Sequence, residues 1–140
     1  MENKKAIEIL LIEDNPGDVR LIEEALKDSK RIDKIHVVTD GVEATDFLFK
    51  RKKYQDARIP DLIILDINLP KKDGIEVLTE IKEDDKLKKI PVVMLTSSKA
   101  EDDILKTYKL HASCYITKPA DFNNFIEKVK AIEDLIKNLV

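Results

Sequence analysis

The chain has 140 residues, 43% hydrophobic and 38% charged, and its 25 basic and 28 acidic side chains leave a net charge of −3. That length suits one domain with a sizeable core, and the near-balance of charge gives no electrostatic reason to expect nucleic-acid binding. The single cysteine, Cys114, excludes an intrachain disulfide and suits a reducing compartment. No apolar run approaches the roughly 20 residues of a membrane span, and no signal-peptide core follows Met1, so a cytoplasmic protein is expected.

In chain order, Ile7–Ile12 reads as a first strand that ends in Glu13-Asp14. Pro16 suits the first turn of a helix, with Val19, Ile22, Ala25 and Leu26 at helical spacing. Residues 35–38 predict a weaker second strand, and Asp40 caps a second helix carried by Val42, Ala44, Phe47 and Leu48. Residues 50–58 form a polar, basic connection without a clear pattern. Residues 62–65, between Pro60 and the Asp66–Pro70 stretch, predict a buried third strand that ends in Asp66. Asp73-Gly74 closes a loop before a third helix marked by Ile75, Leu78 and Ile81, and both Gly17 and Gly74 read as turn glycines. Residues 92–95 predict a fourth strand ending in Thr96. A fourth helix with few apolar anchors is expected over 101–110. Cys114–Thr117 is the fifth strand, followed by Lys118. Asp121 caps a long last helix with Phe122, Phe125, Ile126 and Val129 at core spacing.

Apolar strands alternating with amphipathic helices imply an α/β fold with a parallel sheet covered on both faces. The plan occupies residues 1–140 as a single domain. In such sheets, ligands bind beyond the carboxyl ends of the strands. Those ends carry Glu13, Asp14, Asp66, Thr96 and Lys118. Two like charges ~4 Å apart repel by about 4 kcal/mol at an effective dielectric near 20. Converging carboxylates therefore require that one protonate or that a cation hold them. Mg²⁺ suits the site better than Ca²⁺, since it takes one or two carboxylates, waters and a phosphate oxygen. Asp66 is the best nucleophile, because a carboxylate can attack phosphorus to form an aspartyl-phosphate. Lys118 would pair with a phosphoryl oxygen as a point charge, and Thr96 would donate its hydroxyl to another. His36 and His111 read as structural or surface residues. No Gly-rich phosphate loop is present, which argues against a P-loop or dinucleotide enzyme.

These residues stand in motifs that resemble the receiver domains of two-component response regulators: Leu11-Ile12-Glu13-Asp14-Asn15, the segment from Asp61 to Pro70, Asp73-Gly74, the segment from Pro91 to Ser98, and Tyr115-Ile116-Thr117-Lys118-Pro119. The resemblance covers essentially the whole chain. It implies a flavodoxin-like (βα)5 doubly wound sheet with strand order 2-1-3-4-5, and phosphorylation of Asp66 by a sensor histidine kinase. It further implies Mg²⁺ ligation by Glu13, Asp14, Asp66 and the backbone carbonyl of Asn68. Thr96 and Tyr115 would form a switch pair, and the Lys118–Pro119 peptide would be cis. Asn15-Pro16-Gly17-Asp18 and the basic connection before Pro60 look most like stand-alone receivers that serve phytochrome-type kinases. No output domain is expected, so the signal would pass to a separate effector protein, or to a second copy through the face formed by the fourth helix, fifth strand and fifth helix.

Three other readings compete. A flavin-binding module of flavodoxin type needs a Ser/Thr/Gly-rich loop after the first strand, where this chain has Glu13, Asp14 and Asp18, which would repel a phosphate. A phosphatase of the haloacid-dehalogenase type also uses an aspartyl-phosphate, Mg²⁺, a hydroxyl and a lysine, but its nucleophile lies in a D-x-D pair on the first strand. Here the first strand ends Glu13-Asp14-Asn15, and the lone Asp66 is on the third. A degenerate receiver acting only as a binding module would have lost some of Glu13, Asp14, Asp66, Thr96 and Lys118, whereas all are present.

Overall fold

A computed structural model of the chain describes residues 6–27, 29–96 and 114–117, together with 127 and 134. The elements are β1 (Ile7–Ile12), α1 (Pro16–Leu26), β2 (Ile32–Val38), α2 (Gly41–Leu48), a 3-10 turn (Lys52–Tyr54), β3 (Leu62–Asp66), α3 (Gly74–Glu83), a second 3-10 turn (Leu87–Lys89), β4 (Val92–Thr96) and β5 (Cys114–Thr117). The strands pair in parallel in the order β2-β1-β3-β4-β5. The helices expected over 101–110 and after Asp121 lie outside the described residues. Among the described residues, no helix is long and apolar enough to cross a membrane.

Apolar residues on both faces of the central strands explain why the helices divide between two sides. Every residue of β3 and β4 is buried. On one face, Leu10, Ile12, Ile63, Leu65, Val92 and Met94 pack with Ala44, Phe47 and Leu48 of α2 and with Val77, Leu78 and Ile81 of α3. On the other, Ile9, Leu11, Leu62, Ile64, Val93, Leu95 and Ile116 pack with Ile22 and Leu26 of α1. Each fully buried Leu or Ile contributes about 1.5–3 kcal/mol. Each of these helices starts at a side-chain cap: Asn15 accepts the Asp18 N–H, Asp40 the Glu43 N–H and Asp73 the Glu76 N–H, at 3.1, 2.7 and 2.9 Å.

Three expectations change. Strand β2 begins at Ile32, three residues before the sequence pattern suggested. It is an edge strand paired only with β1, so Asp33 and Lys34 are exposed and a shift of register between Ile7 and Glu8 accommodates the extra residue. Val42 does not anchor α2: it is 36% exposed, since it lies two residues, about 200° around the helix, from Ala44. The 50–58 connection is ordered by Tyr54, whose ring packs on Phe47 at 5.1 Å and whose hydroxyl donates to Glu43. Burial, and then the Glu43 carboxylate, push the Tyr54 phenol up to about 12.

Glu8, in β1, ties this connection to the sheet. Its carboxylate meets His36 Nε2 at 2.7 Å and accepts from Arg58 Nη1 at 2.5 Å, and its backbone N–H donates to Asp61 at 2.9 Å. The His36 hydrogen bond, opposed by burial and helped by Arg58, holds the Glu8 carboxyl below its ordinary value of 4.5. A carboxyl whose pKa falls on folding stabilises the protein above its unfolded pKa. That stabilisation is lost as pH drops through the lower folded value. Glu8→Gln should therefore lower the melting temperature near pH 7, and the difference from wild type should shrink below about pH 4. A difference that stays constant with pH would show that Glu8 contributes only as a neutral hydrogen-bonding group.

Candidate functional site

Parallel register brings the acids together. Ile12 lies opposite Leu65, so Glu13 follows level with Asp66 at the carboxyl ends of adjacent central strands. The chain leaves β1 toward β2 on one side and later returns to β3 on the other. The crevice at Glu13 and Asp66 is thus the point where strand order reverses. The cap of α1 shapes the turn after β1: Asn15 caps with its side chain, while its own N–H donates to Glu13 Oε2 at 3.1 Å. The Glu13 N–H donates to the Val38 carbonyl at 3.0 Å, which keeps this residue attached to the sheet edge.

One oxygen from each of Glu13, Asp14 and Asp66 lies within 4.8 Å of the others. Glu13 and Asp66 are buried, 0% and 2% exposed, and Asp14 is exposed. Asp66 Oδ1 accepts the Asn68 N–H at 3.2 Å. The donor set is oxygen alone, with no histidine or cysteine among the described residues of the cluster. Such a set fits a hard divalent cation of the Mg²⁺ kind, with the exposed side left to waters.

Thr96 ends β4, fully buried, opposite Thr117 of β5. The Ile67 N–H donates to the Leu95 carbonyl at 3.0 Å, which lays the chain after Asp66 alongside the end of β4. The described residues therefore unite four sequence-expected site residues, Glu13, Asp14, Asp66 and Thr96, at one sheet edge. The backbone of Tyr115 lies in β5 opposite Met94, on the strand next to that of Thr96. The Tyr115 side chain, Lys118 and the Lys118–Pro119 peptide lie outside the described residues. His36 is half-buried against Glu8 and Phe47 and is not a member of the acid cluster.

The two glycines expected in turns lie in helices instead. Gly17 is inside α1 and Gly74 is the first residue of α3, and no described glycine has a positive φ. Gly74 is required by proximity: a Cβ there would stand 2.3 Å from the Asp66 carbonyl oxygen and 2.6 Å from the Ile67 Cα. Its N–H donates to the Ile67 carbonyl at 2.9 Å. A glycine that sequence reasoning passed over, Gly41, is under the same constraint, with a Cβ placed 1.8 Å from the Lys72 carbonyl oxygen. Gly41 directly follows the cap residue Asp40, but only the fold reveals what approaches it. A hollow of about 540 Å³ between the carboxyl ends of α2 and α3, lined by Leu48, Phe49, Ile59 and Leu87 among others, holds none of the site residues.

A doubly wound parallel sheet with an acid triad at its switch point is the architecture of a phosphoryl-receiving signalling domain. The family model described as "Response regulator receiver domain" matches residues 9–130, and the chain belongs to that family. It is similar to the response regulator Rcp1 of Synechocystis sp. (strain ATCC 27184 / PCC 6803 / Kazusa), with 46% identity over 125 residues, 89% of this chain and 85% of that protein. Among solved structures it resembles that of the phosphorylated cyanobacterial phytochrome response regulator RcpA, at 49% identity and a TM-score of 0.87, covering 96% of each chain. It also resembles the Mn²⁺-bound form of Rcp1, at 45% identity and a TM-score of 0.85, again over 96% of each chain.

Two outcomes follow from this geometry. Gly74→Ala should destabilise the fold by about 1–3 kcal/mol, the usual cost of forcing atoms into filled space, read as a lower denaturation midpoint. An unchanged midpoint would mean that α3 shifts freely at its start. In chelator, Asp14→Asn should stabilise the protein by about 1 kcal/mol, since it removes one of the mutually repelling charges at an exposed position. Adding Mg²⁺ should raise the wild-type melting temperature more than that of the variant. Equal stability in chelator and equal response to Mg²⁺ would separate Asp14 from the site.

Proposed function

We propose that Asp66 is the phosphoacceptor of a Mg²⁺-dependent, phosphorylation-activated switch. The observation that carries this reading is the convergence of Glu13, Asp14 and Asp66 within 4.8 Å, beside the buried Thr96, at the switch point of the sheet. Glu13, Asp14, Asp66 and the Asn68 backbone carbonyl would hold the cation, which supplies neutralisation of the phosphoryl oxygens. An Asp66 carboxylate oxygen attacks phosphorus. The new P–O bond forms as the P–N bond to a phosphohistidine breaks, and the imidazole leaves with the electron pair. Asp66 is accordingly a group consumed once per signal, and the chain is a phosphoacceptor rather than a turnover enzyme.

Thr96 would donate its hydroxyl to a phosphoryl oxygen, and Lys118 would pair with another. Movement of Thr96 toward the phosphoryl group opens space on the neighbouring strand for Tyr115, and this pair would carry the change to the face formed by the fourth helix, fifth strand and fifth helix. Moving such a switch from 1:99 to 99:1 takes about 5.5 kcal/mol of differential stabilisation, which several charge-assisted contacts to one phosphoryl group can supply. The donor would be a sensor histidine kinase. Similarity to RcpA, a cyanobacterial phytochrome response regulator, favours a phytochrome-like one. The single receiver domain would signal through that face to a partner protein or to a second copy, without contacting nucleic acid or membrane.

Incubation with acetyl phosphate and Mg²⁺, followed by intact-mass measurement, should show one added phosphoryl group in the wild type. Asp66→Asn, or excess chelator, should abolish it. Phosphorylation of Asp66→Asn at the wild-type rate would overturn the assignment of the acceptor, and undiminished labelling in chelator would overturn the role of the cation.

A further inference from the structure

The loop from 67 to 73 joins Asp66 to α3 and contains Asn68. It takes a shape the chain would not adopt alone. The Lys72 N–H donates back to the Pro70 carbonyl at 2.8 Å, closing a three-residue turn, and the central residue, Lys71, has φ 70°. A side-chain-bearing residue in that region is strained, and the strain persists only where the surroundings enforce it. The same Pro70 carbonyl also accepts the Gly41 N–H at 3.3 Å, and the Lys72 carbonyl lies where a Cβ on residue 41 would be. The turn is therefore pressed against the start of α2.

Lys72 supplies the side-chain part of this clamp. Its ammonium donates to Glu80 Oε2 of α3 at 2.7 Å and to Thr45 Oγ1 of α2 at 3.3 Å. Thr45 is buried, and its own hydroxyl hydrogen is directed to the Gly41 or Val42 carbonyl at 3.3 or 3.1 Å, which leaves a lone pair for the lysine. The Lys72 side chain is 22% exposed and Glu80 34% exposed. By contrast, Lys71 reaches Asp40 at 3.6 Å with its side chain 69% exposed, an arrangement that solvent and salt weaken.

We propose that Lys72 is a positioning residue for the acid site. Its ammonium, held between α2 and α3, fixes the strained loop so that Asp66 and the Asn68 carbonyl face a divalent cation together. The inference rests on the reading of Glu13, Asp14, Asp66 and Asn68 as that cation's site. A bland alternative is an ordinary helix-linking ion pair. Such a pair would affect melting temperature without touching cation affinity at temperatures where the fold is intact.

The test is calorimetric titration of the full chain with Mg²⁺, well below the melting temperature, with circular dichroism to confirm folding. Lys72→Met should weaken Mg²⁺ binding about 10-fold, the lower end of what loss of a supporting outer-shell partner costs. Lys72→Arg, which retains a cation able to bond Glu80 and Thr45, should recover most of the affinity. Glu80→Gln, which keeps an acceptor without its charge, should fall between. Should Lys72→Met fail to fold, Lys72→Arg and Glu80→Gln still rank against wild type. Wild-type Mg²⁺ affinity in Lys72→Met and Glu80→Gln, or no advantage of Arg over Met, would overturn the proposal. If the wild type itself binds no Mg²⁺, or Asp14→Ala binds it equally well, the reading of the cation site falls instead.

Discussion

Three carboxylates brought within 4.8 Å at one edge of an apolar sheet oppose one another, and two of them are almost completely buried. Isolated buried charge is among the most costly arrangements a fold can contain. The surrounding structure has to hold these groups together against repulsion when no cation is bound. It does so with backbone: Glu13 is pinned by its N–H to Val38, and the chains around Glu13 and Asp66 supply N–H groups from Asn15 and Asn68 to the carboxylates. The free energy that tolerates this site comes from β1, β3 and β4, whose apolar residues are buried on both faces. The acid cluster and the structural cost it imposes therefore sit at the same residues, separated from the core by a single peptide unit.

The two faces of the sheet divide the labour. α1 follows the acid pair directly and shapes it through its cap, with Asn15 both capping the helix and bonding Glu13. α2 and α3, on the other face, brace the loop that follows Asp66. Gly41 and Gly74 allow backbone to approach backbone at distances no Cβ would permit, and Thr45, Lys72 and Glu80 close the contact with side chains. Small changes in the packing of α2 against α3 would thus be felt in the loop beside Asp66, although neither helix contributes a residue to the acid cluster.

A structure of Rcp1 carries Mn²⁺ and one of RcpA is phosphorylated, and both resemble this chain over nearly its whole length. An oxygen-only donor set with one solvent-facing carboxylate is suited to a cation that must share its coordination with an arriving phosphoryl group. A site closed on all sides by protein ligands would hold a metal more tightly but would exclude the reaction.

By itself, the sequence determined the alternation of strands and helices, the parallel class of the sheet, and the location of Glu13, Asp14, Asp66 and Thr96 at strand ends. Runs such as 62–65 and 92–95 are legible because burial on both faces demands uninterrupted apolar residues, and Asp40 because a cap acts on its own neighbours. The start of β2 is not legible because an edge strand need not be apolar, and the exposure of Val42 is not legible because helical spacing does not say which arc of a short helix meets the core. Only the tertiary structure decided that the acids lie within reach of one another, that Gly41 and Gly74 are needed for close approach rather than for turning, and that Lys72 bridges two helices. Those features depend on contacts between separate elements: Glu13 with Asp66, Gly41 and Thr45 with Lys72, and Gly74 with the end of β3. Local propensity and periodicity carry no record of such contacts, because they arise only when the register of the sheet brings the segments together.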